Sequence, residues 1–155
     1  MTQPTGTHDQ PKIQLTVQPP HPVAKVQDSS PERIMAYRHQ IGFTGEAPYV
    51  YGYFQNLPGF GPLSALSQAY FDLSLEKDGL LVLGLDLHSQ FTGENGFIPF
   101  AEMTRVQVKN HGLTYFLIIE TISGKLKATV TKFIWRQPWQ RTNARIIVEH
   151  LTKLG

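Results

Sequence analysis

Tyr70-Phe71-Asp72-Leu73-Ser74-Leu75-Glu76, then Lys77-Asp78-Gly79, then Leu80-Leu81-Val82-Leu83-Gly84-Leu85-Asp86: these residues decide the fold. In the first run Phe71, Leu73 and Leu75 fall on one side, and Tyr70, Asp72, Ser74 and Glu76 on the other. That period of two is what a half-buried strand requires, because successive side chains point to opposite faces. Lys77-Asp78-Gly79 reads as a tight hairpin, with Gly79 expected to supply a positive φ. The second run is apolar on both faces and too short for a membrane span, so it reads as a strand covered on both sides. Gly84 inside it marks a bulge or a close backbone approach.

The same rhythm continues outward. Residues 87–96 read as a loop, rich in Ser, Gln, Thr, Gly, Glu and Asn. Phe97-Ile98-Pro99-Phe100 then leads into a strand in which Val106 and Val108 share one face, and Arg105, Gln107 and Lys109 the other. Asn110-His111-Gly112 turns the chain. Residues 113–121 are the most β-prone segment, aromatic and β-branched. After Ser123-Gly124, Leu126, Ala128 and Val130 alternate with Lys125, Lys127, Thr129 and Thr131. The last segment changes period. Trp139, Asn143, Ile146, Ile147, His150, Leu151 and Leu154 recur at three- and four-residue spacing, the mark of one helical face, with a start near Pro138.

The chain before residue 70 is less regular. Residues 1–29 hold five of the eleven prolines and read as a flexible leader, since their composition buries too little surface to offset ordering entropy. Within them Lys12-Ile13-Gln14-Leu15-Thr16-Val17 alternates and could add as an edge strand. Ser29 and Glu32 have capping-box spacing and Pro31 suits a first turn, so a short helix is expected to run to just before Gly42. In 48–55, Tyr49, Tyr51 and Tyr53 share one strand face. Such a strip can stack on bases or sugars, but an additional strand of the sheet is the stronger reading. Residues 63–69 read as a short helical turn or a lead-in. The expected organisation is a leader over 1–29, a short helix plus aromatic connection over 30–68, and a β-domain over 69–155.

Composition narrows the chemistry. With no cysteine among 155 residues, disulfides, thiol nucleophiles and cysteine metal sites are excluded. The six histidines share no metal-site spacing. No serine sits in a Gly-x-Ser-x-Gly elbow. Thr92-Gly93-Glu94-Asn95-Gly96 lacks the Lys-Ser/Thr of a phosphate loop. The chain therefore reads as a non-enzyme with no cofactor and no metal. Net charge is only +2, but it is unevenly spread. Residues 1–96 carry five Lys/Arg against nine Asp/Glu, and residues 97–155 carry nine against three. A basic C-terminal half can face phosphate, an acidic partner or an anionic membrane. Lys132-Phe133-Ile134-Trp135-Arg136-Gln137-Pro138-Trp139-Gln140-Arg141 concentrates that charge beside two tryptophans. Of the two, Trp135 is expected to be exposed and Trp139 to be core.

A strand meander closed by one amphipathic helix resembles the pleckstrin-homology (PH) superfold, and most its GRAM and bacterial PH-like branches. The likeness covers residues 69–154. It rests on Gly79-Leu80-Leu81-Val82-Leu83 at an early hairpin, on Ile98-Pro99-Phe100-Ala101-Glu102 leading to Val106-Gln107-Val108, and on the closing helix. It implies a mainly β fold with one C-terminal helix, a partly open antiparallel barrel or sandwich capped by that helix. The family has seven strands, whereas five are firm here and residues 48–55 offer a sixth. The basic phosphoinositide motif has no counterpart, because Lys77-Asp78-Gly79 is too short to hold it, so lipid binding does not follow from the likeness. The expected function is a non-catalytic interaction module that docks a protein partner. The alternative is a peripheral binder of anionic lipid through Lys125, Lys127, Lys132, Trp135, Arg136 and Arg141. Nucleic acid is the weaker partner class, and a cytoplasmic location, with or without attachment at a membrane surface, is expected.

Overall fold

The structure, a computed structural model, describes residues 30–155. The leader assigned to 1–29, the strand at 12–17 and the Ser29 cap lie outside these residues. Alternating apolar runs fold as seven strands: β1 (Tyr49–Phe54), β2 (Tyr70–Leu75), β3 (Gly79–Leu85), β4 (Phe91–Pro99), β5 (Met103–His111), β6 (Thr114–Thr121) and β7 (Gly124–Thr131). Helix α1 (Pro31–Ile41) precedes them and α2 (Trp139–Leu154) follows. The strands form one antiparallel sheet in the order β4-β3-β2-β1-β7-β6-β5. β4 and β5 are its edges, so the sheet is open and not a closed barrel. The fold is mainly β with a C-terminal helix, as the sequence led us to expect.

The two faces of β3 go to two different cores. Leu80 and Val82 join Phe71, Leu73, Leu117 and Leu126 under α2, which contributes Ala144, Ile147 and Leu151. Leu81, Leu83 and Leu85 point the other way, onto Ile34, Tyr37 and Ile41 of α1. Each leucine so buried contributes roughly 1.5–3 kcal/mol, which is why an unbroken apolar run is stable here. The aromatic strand β1 is part of the sheet, not an exposed stacking strip. Tyr49 packs on Trp139 at 4.8 Å between ring centroids, and Tyr51 stacks with Tyr70 at 6.3 Å. Trp139 is half-buried at the rim of the α1-side core.

Three expectations need correction. Residues 91–96 are strand, not loop. The loop is confined to the segment around 86–90, where the Asp86 carboxylate accepts the His88 and Gln90 amides at 2.8 and 3.0 Å. The turn-like residues of β4 are held by tertiary partners: Asn95 donates to the Tyr37 hydroxyl at 3.0 Å, and Glu94 accepts the Ser67 amide at 3.2 Å. Pro99 ends β4, and a single 3-10 turn (Phe100–Glu102) separates it from β5, so Phe97 to Pro99, read as the lead-in to the next strand, closes the preceding one. Gly79 lies outside the positive-φ glycines. It is required for close approach instead, since a Cβ there would stand 2.3 Å from the Ile98 carbonyl oxygen. Gly84 marks a register shift between β3 and β4, as expected.

Helix α2 is sewn to β1 by side-chain amides. β1 and β7 pair only from Gly52 to Phe54. One residue further, the Tyr51 N–H donates to Gln140 Oε1 at 2.9 Å, and Gln140 Nε2 donates to the carbonyls of Tyr51 and Thr131 at 3.0 and 2.8 Å. Asn143 Nδ2 donates to the Tyr49 carbonyl at 3.1 Å. Gln140 is fully buried. Helix α1 has its own anchor. Arg38, also fully buried, holds the Glu76 carboxylate through two bonds at 2.8 and 2.6 Å and donates to the Gly45 carbonyl at 2.8 Å. The Ser74 hydroxyl donates to the same carboxylate.

Two predictions follow from these buried groups. Arg38→Met leaves the Glu76 carboxylate without its counter-charge and is expected to cost about 3–5 kcal/mol in urea unfolding, with part of the loss recovered in Arg38→Met/Glu76→Met. A cost below about 1 kcal/mol would show that the pair does not hold α1. Burial, reinforced by the Asp72 charge, pushes the Tyr49 hydroxyl up to about 12, and burial beside Tyr70 and Asp72 does the same to Tyr51. The folded state therefore keeps protons that the unfolded chain releases above pH ~10. Their stabilising contribution is complete below pH ~10 and is lost as pH rises towards about 12. Urea midpoints should fall across that window, and less steeply in Tyr49→Phe/Tyr51→Phe.

Candidate docking site

The chain leaves β7 at Thr131, and the Lys132 amide at once donates to the Leu113 carbonyl at 3.0 Å. This bond ties the β7–α2 connection to the β5–β6 turn, so both lie at one end of the fold. The connection is short and folded tightly: the Gln137 amide donates to the Ile134 carbonyl at 3.0 Å, and Arg136 has φ +66°. So bent, it turns its large apolar side chains outward. Leu113, Phe133 and Trp135 are 84, 60 and 74% exposed, values at which none of them serves the core. Trp135 is thus exposed as expected.

Beside this apolar tip lies a groove of about 440 Å³ lined by Tyr115, Lys132, Arg141, Thr142 and Arg145. Tyr115 is on β6 opposite Val130 of β7. Lys132 is held in place: its Nζ lies 4.6 Å from the Tyr115 ring centroid and bonds to Asn110 Oδ1. Arg141 and Arg145 stand one turn apart on α2 and are exposed, while Gln140, Ala144, Ile147 and Leu151 take the buried face. No carboxylate lines the groove. Ion pairs are found elsewhere, in Arg38–Glu76 and in Arg105–Glu120 at 3.6 Å.

The six residues singled out from the sequence are not one surface. Lys132 and Arg141 line the groove, and Trp135 and Arg136 sit on the exposed loop between them. Lys125 and Lys127 are exposed on the other face of β7, opposite Glu120 and Ile118, near the far end of the strand. Tyr115, Thr142 and Arg145 are new members. Arg145 follows Arg141 at helical spacing and was legible; Tyr115 enters only through the β6–β7 register. His150 was expected at the core or rim and is exposed, its ring 5.1 Å from Phe100. Among the described residues no three His, Asp or Glu side chains gather as a metal site requires, and no helix is long and apolar enough to cross a membrane.

Comparison of the sequence with models of known protein families and with curated proteins returned no match.

Like charges four residues apart weaken a helix. Arg145 stands four residues from both Arg141 and Glu149, so Arg145→Gln removes one repulsion and one attraction and is expected to change stability by less than about 0.5 kcal/mol in urea unfolding. A loss above about 1 kcal/mol would mean that Arg145 serves the fold instead of the surface.

Proposed function

We propose that the chain is a non-catalytic, PH-like interaction module that docks a protein partner through the end formed by the β5–β6 turn and the β7–α2 connection. The observation that carries this is the pairing of three exposed apolar side chains, Leu113, Phe133 and Trp135, with a groove lined by Lys132, Arg141 and Arg145 and by no carboxylate, beside the exposed Arg136. Apolar anchors surrounded by charge are how protein interfaces divide affinity from orientation. The charge selects the partner: its face is acidic around an apolar recess. Seven antiparallel strands and a closing helix support the PH-like likeness, since they supply the strand number that the sequence alone left short.

A second reading, attachment to an anionic membrane, is favoured by one observation. Trp135 and Phe133 protrude beside cations, as amphipathic side chains do at a lipid interface.

The test compares the wild-type chain with Phe133→Ser/Trp135→Ser as bait in an extract of the native host. A protein held by the first and lost by the second is then purified and titrated; the pair of substitutions should weaken it by about tenfold or more. Equal retention by both baits overturns the proposal. So does pelleting of the chain with phosphatidylserine-containing vesicles that the double variant abolishes, which moves the assignment to the membrane.

A further inference from the structure

We infer that the groove between β6 and α2 binds a phosphate monoester, carried on a side chain of the docked protein partner. This rests on the docking proposal and names the chemistry of its polar half.

Four observations point to a doubly charged, oxygen-rich ligand. First, Lys132, Arg141 and Arg145 converge on a groove that no carboxylate lines. Three cations exceed what a single carboxylate neutralises, whereas a phosphate monoester carries about −1.5 to −2 near neutral pH and offers three acceptor oxygens. Second, Arg141 and Arg145 are stacked about 6 Å apart along the helix axis. That spacing costs helix stability when empty, and an anion between them reverses the sign of the interaction. Third, Lys132 is positioned before any ligand arrives, by Asn110 Oδ1 on one side and the Tyr115 ring on the other. A pre-placed cation loses less entropy on binding. Fourth, Tyr115 and Thr142 supply hydroxyl donors on the same walls.

A localised cluster also decides between a discrete ligand and a membrane plane. A bilayer would be met by cations spread over one continuous face. Here Lys125 and Lys127 are turned to the opposite side of β7, and Lys132, Arg141 and Arg145 are gathered in one depression. The apolar tip beside it then contacts the residues flanking the phosphorylated side chain.

The experiment follows the ¹H–¹⁵N spectrum of the full chain during titration with O-phospho-L-serine, inorganic phosphate and acetate. Amide shifts should concentrate at Tyr115, Lys132, Thr142 and Arg145. O-phospho-L-serine should bind at least about tenfold more tightly than acetate, as expected for bidentate and doubly charged recognition. Arg141→Gln/Arg145→Gln, both at exposed positions, should weaken it by about tenfold or more, and Lys125→Gln/Lys127→Gln by less than about twofold. Lys132→Gln gives an independent check that leaves α2 untouched. Equal binding of acetate and O-phospho-L-serine, or equal losses in the two double variants, overturns the inference as mere counter-ion attraction. Retention on phosphatidylcholine vesicles with phosphatidic acid through Arg141 and Arg145, with no binding of O-phospho-L-serine, also overturns it by placing the phosphate on a lipid. The two proposals fail separately. If no phosphate species binds but Phe133→Ser/Trp135→Ser still releases the partner, docking stands and the phosphate site falls. If O-phospho-L-serine binds the groove but those substitutions do not release the partner, the reverse holds.

Discussion

The fold depends on how one buried amide replaces a piece of missing sheet. β1 lies between β2 and β7, but β7 accompanies it for only three residue pairs. Where the ladder stops, Gln140 offers one acceptor and one donor group to the Tyr51 and Thr131 backbone. A primary amide is the side chain that presents donor and acceptor together, as a peptide does. An apolar residue of similar size would strand three backbone groups, at roughly 1–3 kcal/mol for each one that is buried. Asn143 repeats the device at Tyr49. The helix therefore does more than cover the core. It fixes the seam between the two halves of the sheet, and with it the angle at which Arg141 and Arg145 are presented.

The fold was legible wherever burial was one-sided. Residues 70–75, 124–131 and the closing helix show their periods openly, because each has one face in a core and one near solvent. β3 was legible for the opposite reason, since only a covering layer on each face explains Leu80 to Leu85. That the second layer is α1 was not readable. Its apolar side chains are few, and its strongest bond is from Arg38 to Glu76, which are far apart in sequence and individually look like surface charge. β4 was misread because its local composition favours a turn, and tertiary contacts, among them those with Tyr37, Ser67 and the neighbouring strand, hold it extended.

The candidate site was half legible. Charge excess over 97–155 and the Trp135 loop are properties of the sequence itself. Which cations share a surface is a property of register and of helix rotation. Lys125 and Lys127 alternate with buried residues, so they lie on the outer face, while Lys132, one residue beyond the strand, keeps the parity of Leu126, Ala128 and Val130 and so meets Tyr115 on the inner face. Polar residues that serve structure, such as Gln140, are equally invisible to a hydrophobic pattern.

The place of β1 in the sheet also has a kinetic side. During synthesis β1 to β4 can pair as soon as they emerge, but the other edge of β1 gains β7 and Gln140 only after many more residues have been made. Until then a nascent chain carries a bare strand edge rich in tyrosine, the kind of template on which chains pair wrongly. Closure links residues 89 positions apart, so loop entropy slows it. The rate at which the ribosome delivers the C-terminal helix thus sets how long this protein stays vulnerable to self-association.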